Sequence, residues 1–250
     1  MRILLSNDDG IDAPGLALLE AAARRLSDDI WVLAPDGKRT AASHNLTCGV
    51  PFDIVQRDAR HFACTGSPAD CVVAAMTHLF AEDQKPDLVV GGINAGRNVA
   101  EDAAYSGTLA IAREATFWDI PAIALSRPKT ARISDRDAKA VADLLNFFIE
   151  NMAQWRGEGQ FLGVNLPERL PAKIKLARPG RDKIAYRSRI VDTSGARTTL
   201  MVPRGRRHLK SDGDQSTALE AGFICVMRYD AFAQAPLAEE FLLKQNTSIG

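Results

Sequence analysis

The chain has no apolar run approaching the roughly 20 residues that a membrane-spanning helix requires. Its first residues become a strand with acidic neighbours almost at once, without the basic and apolar regions of a signal peptide, so a cytoplasmic protein is expected. Net charge is also missing. Lys plus Arg and Asp plus Glu each number 31, so no global field favours nucleic acid or an acidic membrane, and an anionic substrate must be attracted locally. Cysteine is scarce: Cys48, Cys64, Cys71 and Cys225 form no CxxC pair and no zinc-like spacing. They read as small buried hydrophobes in a reducing compartment. His44, His61, His78 and His208 form no HExxH and no tight cluster, which argues against zinc, and only His44 lies in a candidate site loop. There is no internal repeat and no low-complexity tract.

What is present suits one large α/β domain, or one such domain with a smaller excursion, in 250 residues. Arg2 to Ser6 reads as a short buried strand. "PGLALLEAAARRL" from Pro14 has apolar residues at helical spacing, "IWVLAP" is a second strand, and the first βαβ unit is complete. "TCGVPFDIVQ" and "RHFACTG" read as extended segments around a turn. "SPADCVVAAMTHLF" reads as a helix whose Ser67 and Asp70 have capping-box spacing. "PDLVVGG" is the clearest buried parallel strand. The helix "SGTLAIAREATFW", the strand "IPAIALS" and the long amphipathic helix "DRDAKAVADLLNFFIENMAQW" follow. Residues 1 to about 155 therefore alternate strand and helix, which predicts a doubly wound, mostly parallel, Rossmann-like sheet carrying the functional loops. Residues 156–250 change character: "FLGVNLP" is one more strand, "RSRIVDTSGARTTLMV" resembles a hairpin excursion, "AGFICVMRYD" a returning strand and "PLAEEFLLKQ" a short terminal helix.

In a parallel sheet, the loops after the strand carboxyl ends gather on one rim, where ligands bind. Four such loops stand out. The first carries Asn7, Asp8, Asp9 and Gly10; its residues are common in turns, yet two adjacent carboxylates also suit a hard cation such as Mg²⁺ or Mn²⁺. The second, "APDGKRTAASHN", offers the Thr40 and Ser43 hydroxyls and the charges of Lys38 and Arg39; alone, it reads as a solvated loop. The third, "GGINAGRN", supplies the Asn94 amide oxygen and does not match GxGxxG. The fourth, Ser106, Gly107 and Thr108, opens a helix and is either simple capping or a phosphate cradle of free N–H groups at a positive dipole end. The basic run "RGRRHLK" is read as a solvated face or an oligomer contact.

Together, "RILLSNDDGIDAPG", "VLAPDGKRTAASHNLT", "CTGSPADCV", "PDLVVGGINAGRN" and "DAAYSGTLAIAREA", in that order, closely resemble the SurE family of metal-dependent survival-protein nucleotidases. The match is strong over residues 1 to about 125 and weaker through "LGVNLP" and "DQSTALEAGFICV". The resemblance implies hydrolysis of nucleoside 5′- or 3′-monophosphates, sometimes of short polyphosphate, with one divalent cation per subunit. By motif position, it places metal ligands at Asp8, Asp9, Thr40 and Asn94, with Asp8, Asp9 and Asn94 catalytic. It places phosphate contacts at Ser106, Gly107 and Thr108. The family usually has Ser where this chain has Thr40, which keeps the oxygen but adds a methyl and stiffens χ1. It also implies a projecting hairpin and an exchanged terminal arm that build homodimers and homotetramers.

The resulting expectation is hydrolysis by metal-activated water, with no stable nucleic-acid partner and no membrane. One alternative is an aspartyl-phosphate enzyme, which would resemble DxDGT where this chain has "NDDGI". The other is a nucleotide-binding module without catalysis.

Overall fold

Ile3, Leu4 and Leu5 are all fully buried, as in a strand that helices cover on both sides. They belong to β1 (Arg2–Ser6), the middle of the protein in this computed structural model, which describes residues 1–129, 134–182, 187–202, 208–209 and 211–235. In chain order there follow α1 (Pro14–Ala23), β2 (Asp29–Pro35), β3 (Ile54–Gln56), β4 (His61–Cys64), α2 (Pro68–Ala74) and β5 (Leu88–Ala95). Then come α3 (Asp102–Tyr105), α4 (Gly107–Phe117), β6 (Ala122–Arg127), α5 (Asp135–Glu150), β7 (Gln160–Asn165), β8 (Ile174–Leu176) and β9 (Arg181–Asp182). The last elements are β10 (Arg189–Ser194), β11 (Arg197–Met201), β12 (His208–Leu209), α6 (Gln215–Glu220) and β13 (Ile224–Asp230).

The main sheet has the order β3-β4-β2-β1-β5-β6-β7-β13-β8. From β4 through β7 every neighbour is parallel; β3 and β13 pair antiparallel with β4 and β7, and β8 closes the edge parallel to β13. Side chains alternate between two cores, because successive strand residues point to opposite faces. Ile3, Leu5, Val90 and Leu125 pack with α1 and α5, whereas Leu4, Val89 and Ala124 pack with α2 and α4. The predicted α/β fold is thus observed. The chain moves outward from β1 through β2 to β4, then returns to β5 on β1's other side. The strand order therefore reverses between β1 and β5, which opens a crevice at their carboxyl ends.

β10 and β11 form the predicted antiparallel hairpin, whose Ile190, Val191 and Leu200 are exposed. The predicted terminal helix at 236–245, the terminal arm and most of the basic run at 204–210 lie outside the described residues. Among the described residues, no helix is long and apolar enough to cross a membrane. One expectation needs correction: Cys64, Cys71 and Cys225 are buried, but Cys48 is exposed, because it sits on the irregular link between β2 and β3 rather than in an element.

The capping box is present. Ser67 Oγ accepts from Asp70 N (3.1 Å) and donates to Asn45 O (2.5 Å), while Asp70 Oδ2 accepts from Ser67 N (2.7 Å). Ser67→Ala is expected to cost roughly 1 kcal/mol, lowering the melting temperature by about 2–4 °C with activity retained. A thermal melt beside an activity assay checks this, and an unchanged midpoint would contradict it.

At the start of β4, His61 meets Asp58 through Nδ1 (2.8 Å) and Glu20 through Nε2 (3.0 Å). Partial burial opposes its charge, but the two carboxylates outweigh burial and raise the His61 pKa above its usual 6.5. A base held this way adds stability below its unfolded pKa and loses it as pH rises through the folded one. The melting-temperature gap between wild type and His61→Ala should therefore be widest near pH 6 and narrow as pH is raised. A gap independent of pH would contradict that.

Candidate functional site

Four rim segments meet at the reversal of strand order. The first leaves β1 through Asn7, which is fully buried and braces the turn: its Nδ2 donates to Gly10 O (2.8 Å) and its Oδ1 accepts from Gly10 N (3.1 Å). Gly10 has φ +105°, a conformation that side chains disfavour. This turn sends the two carboxylates to different neighbours. Asp8 is 6% exposed and its Oδ1 accepts from Thr108 Oγ1 at 2.6 Å. Asp9 Oδ2 accepts from Ala95 N at 2.7 Å, and its Oδ1 is ion-paired with Lys38 Nζ. Burial pushes the Asp8 pKa up to about 6; the Thr108 hydrogen bond opposes the rise and the charge of Asp9 adds to it.

β5 extends beyond its glycines to Ala95, with a register shift between Gly91 and Asn94. Asn94 therefore stands at a strand end rather than in a free loop. Its Nδ2 donates to Gly96 O (2.9 Å), a bond that does not use the Oδ1 oxygen. Ser106 caps α4, with its Oγ accepting from Leu109 N (3.0 Å), so the capping reading holds for that side chain. Gly107 lies against Asp8, and Thr108 is fully buried.

The second loop reaches the same place. Arg39 N donates to Asp8 O (2.8 Å) and Lys38 pairs with Asp9, while the Arg39 guanidinium turns to Asp36 Oδ1 (2.7 Å) and Thr65 O (3.0 Å). Thr40 follows them on an exposed turn; among the described residues, no hydrogen bond links its hydroxyl to Asp8, Asp9 or Asn94. Beyond it, Ser43 N and Oγ donate to Tyr105 O (3.0 Å) and Ala104 O (2.7 Å). His44 Nε2 meets the buried Glu114 Oε2 at 2.7 Å, and Glu114 Oε1 accepts from Trp118 Nε1. These contacts dock the Thr40 loop onto the helices that carry Ser106 to Thr108.

Several supporting residues carried no assignment from sequence. Asn98 Nδ2 donates to Ser126 Oγ (2.8 Å), Asn165 exchanges hydrogen bonds with the Asn98 backbone, and Ala100 N donates to Gln215 Oε1 (3.1 Å). Their sequence signal was weak: Ser126 and Asn165 are polar residues at or next to the carboxyl ends of otherwise apolar strands, where buried polar groups must be satisfied.

The donor set suits a hard divalent ion. The ligating atoms that Asp8, Asp9 and Asn94 offer are oxygens, because an amide nitrogen has no lone pair available for a cation. Among the described residues, no group of three or more His, Cys, Asp and Glu forms a metal cluster. A cation here would thus rest on two carboxylates and neutral oxygens.

Paired carboxylates, an amide oxygen and a helix N-terminus thus converge at the switch point of a doubly wound α/β protein, the crevice where such sheets bind ligands. Residues 3–186 match the family model described as survival protein SurE. The chain is 40% identical over 238 residues to the 5′-nucleotidase SurE of Brucella canis, covering 90% of this chain and 91% of that protein. It is equally 40% identical over 236 residues to that of Brucella abortus strain S19, covering 90% of each. The crystal structure of the SurE protein from Aquifex aeolicus superposes with a TM-score of 0.78 at 28% identity, covering 98% of both chains. The chain belongs to the SurE family.

Proposed function

We propose that this chain hydrolyses nucleoside 5′-monophosphates, with 3′-monophosphates and short polyphosphate as further substrates, in a reaction that requires one Mg²⁺ or Mn²⁺ per subunit. The observation that carries the reading is the 2.6 Å bond between Thr108 and Asp8, which joins the strand end that would hold a cation to the helix start that would receive an anion. Asp8, Asp9 and Asn94 would hold the cation, with Thr40 supplied by the docked loop. When bound, the cation polarises the phosphate and makes water a better nucleophile.

The chain's own groups do the rest. The start of α4 at Gly107 and Thr108 receives phosphate oxygens, where its dipole favours negative charge. Thr108 fixes the Asp8 rotamer, and Ala95 N fixes Asp9, so neither carboxylate must reorganise as charge redistributes. Lys38, already against Asp9, adds positive charge beside the phosphate. Asn7 spends its side chain on the turn and cannot replace the first Asp of an aspartyl-phosphate motif.

The exposed apolar side chains of the β10–β11 hairpin support self-association as a homodimer or homotetramer. The cytoplasm remains the proposed location. The test incubates the protein with 5′- and 3′-nucleoside monophosphates in Mg²⁺, Mn²⁺ or EDTA and measures released phosphate. Metal-dependent release supports the reading. Tight monophosphate binding without release under any metal would favour a binding module instead, and trapping of a phosphorylated protein would favour Asp attack.

A further inference from the structure

Residues 36–53 link β2 to β3 without a helix or a strand, and Thr40 stands in the first half of this link. Ala41 (φ +57°) and Ser43 (φ +55°) hold left-handed backbone conformations that residues other than glycine disfavour, so the loop relaxes unless partners on both sides hold it. Ser43 and His44 supply one attachment, to α3 and α4. The other lies at the turn from β4 into α2. Asp70, on α2 and 2% exposed, accepts from Thr47 N at Oδ1 (2.9 Å), and from Thr47 Oγ1 (2.5 Å) and Ser67 N (2.7 Å) at Oδ2. Capping α2 asks only the Ser67 bond of this carboxylate. The other two bonds go to the loop, and Thr47 is partly buried between the exposed Leu46 and Cys48. On the near side of Thr40, Arg39 Nη2 donates to Thr65 O (3.0 Å), on the same turn.

We infer that Asp70 is a positioning residue: by holding Thr47 it fixes the loop that presents Thr40, and so sets how tightly the site takes its divalent cation. The inference rests on the function proposed above, in which Thr40 is a ligand. The physical reason is population. A binding-competent arrangement that exists only part of the time weakens apparent affinity by that fraction, because ordering the loop then opposes binding. Hydrogen bonds to an ionised carboxylate are the stronger kind, and a buried carboxylate that loses a donor is costly. The two Asp70 bonds to Thr47 therefore outweigh the single neutral bond from Ser67 Oγ to Asn45 O.

The test loosens the loop without touching the metal or phosphate residues. Thr47→Val removes the hydroxyl donor in nearly the same shape and leaves the Ser67–Asp70 capping box whole, whereas Asp70→Asn weakens the contact from its other end. In EDTA, the backbone amides of residues 44–48 should exchange hydrogen at least about tenfold faster in both variants than in wild type. Mn²⁺ titrated by calorimetry should bind about tenfold more weakly in both, the fold-change of one lost bond to a charged group, while kcat at saturating Mn²⁺ stays within about threefold. Thr47→Ser should restore wild-type affinity. Ser67→Ala melts earlier but keeps both bonds between Asp70 and Thr47, so its Mn²⁺ affinity should stay within about twofold of wild type. Mn²⁺ affinity unchanged in Thr47→Val and Asp70→Asn, or lowered as much in Ser67→Ala, would overturn the inference, since Asp70 would then serve the helix alone. If wild type binds Mn²⁺ but releases no phosphate from any monophosphate, the proposed function fails; a tenfold loss of Mn²⁺ affinity in Thr47→Val, restored in Thr47→Ser, would still uphold Asp70 as the residue that positions the loop.

Discussion

Asp8→Asn is expected to reduce metal-dependent phosphate release at least about 1000-fold, as several kcal/mol of charge stabilisation at a metal-assisted site is lost and each 1.36 kcal/mol is tenfold. The same variant should melt at a higher temperature than wild type in EDTA at neutral pH. The reason is burial. The metal-free fold raises the Asp8 pKa from 3.8 to about 6, so the native state binds this proton more tightly than the unfolded chain. Wild-type stability therefore falls as pH rises from about 4 to about 6 and stays lower above that, by up to about 3 kcal/mol. Asparagine removes that cost while its Oδ1 can still accept from Thr108. The stability advantage of the variant should vanish when melts are repeated near pH 4. Full activity together with full metal affinity in Asp8→Asn would remove Asp8 from the site.

Gly107→Ala should lower kcat/KM about 100-fold, the order of loss expected from misplacing a reacting group by about an ångström. A Cβ at Gly107 would stand 2.9 Å from Asp8 Cβ and 3.0 Å from Pro68 Cγ, with Asp8 Oδ2 at 3.3 Å. The helix start would have to back away from β1, carrying Thr108 off the carboxylate. Far-UV circular dichroism should stay close to wild type, because α4 and its Ser106 cap are otherwise intact. Wild-type kinetics in Gly107→Ala would show that the close approach of α4 to Asp8 has no part in catalysis.

Much of the fold was legible in residue order. "RILLS", "PDLVVGG" and "PAIALS" are apolar on both faces, and the intervening helices carry capping signals such as Ser67 with Asp70, so the parallel alternation follows from local patterning. Other elements were not legible. The short α6 over "QSTALE" and α3 over "DAAY" lack enough turns to show a period, and α3 reads as loop. The bulge that carries Asn94 past the glycines of β5 is set by pairing with β6, which no local signal reports.

The candidate site divides in the same way. Local patterns mark Asp8, Asp9, Asn94 and Ser106 to Thr108 as strand-end or helix-start residues with turn and capping readings of their own; only the resemblance of the five segments in order singles them out, together with Thr40, as metal and phosphate residues. Their convergence is not local. Thr108 reaches Asp8 across 100 residues because β1 and β5 are adjacent in the sheet while α4 packs on β5 and β6, beside the end of β1. The Asp8 pKa, the turning of Asp9 toward Ala95 and Lys38, and the docking of the Thr40 loop by Ser43 and His44 depend likewise on burial and on partners distant in sequence. Sequence determined which groups are available and which rim they occupy; tertiary packing decided which carboxylate is desolvated and which neighbours each one meets, since electrostatics and excluded volume depend on neighbours in space.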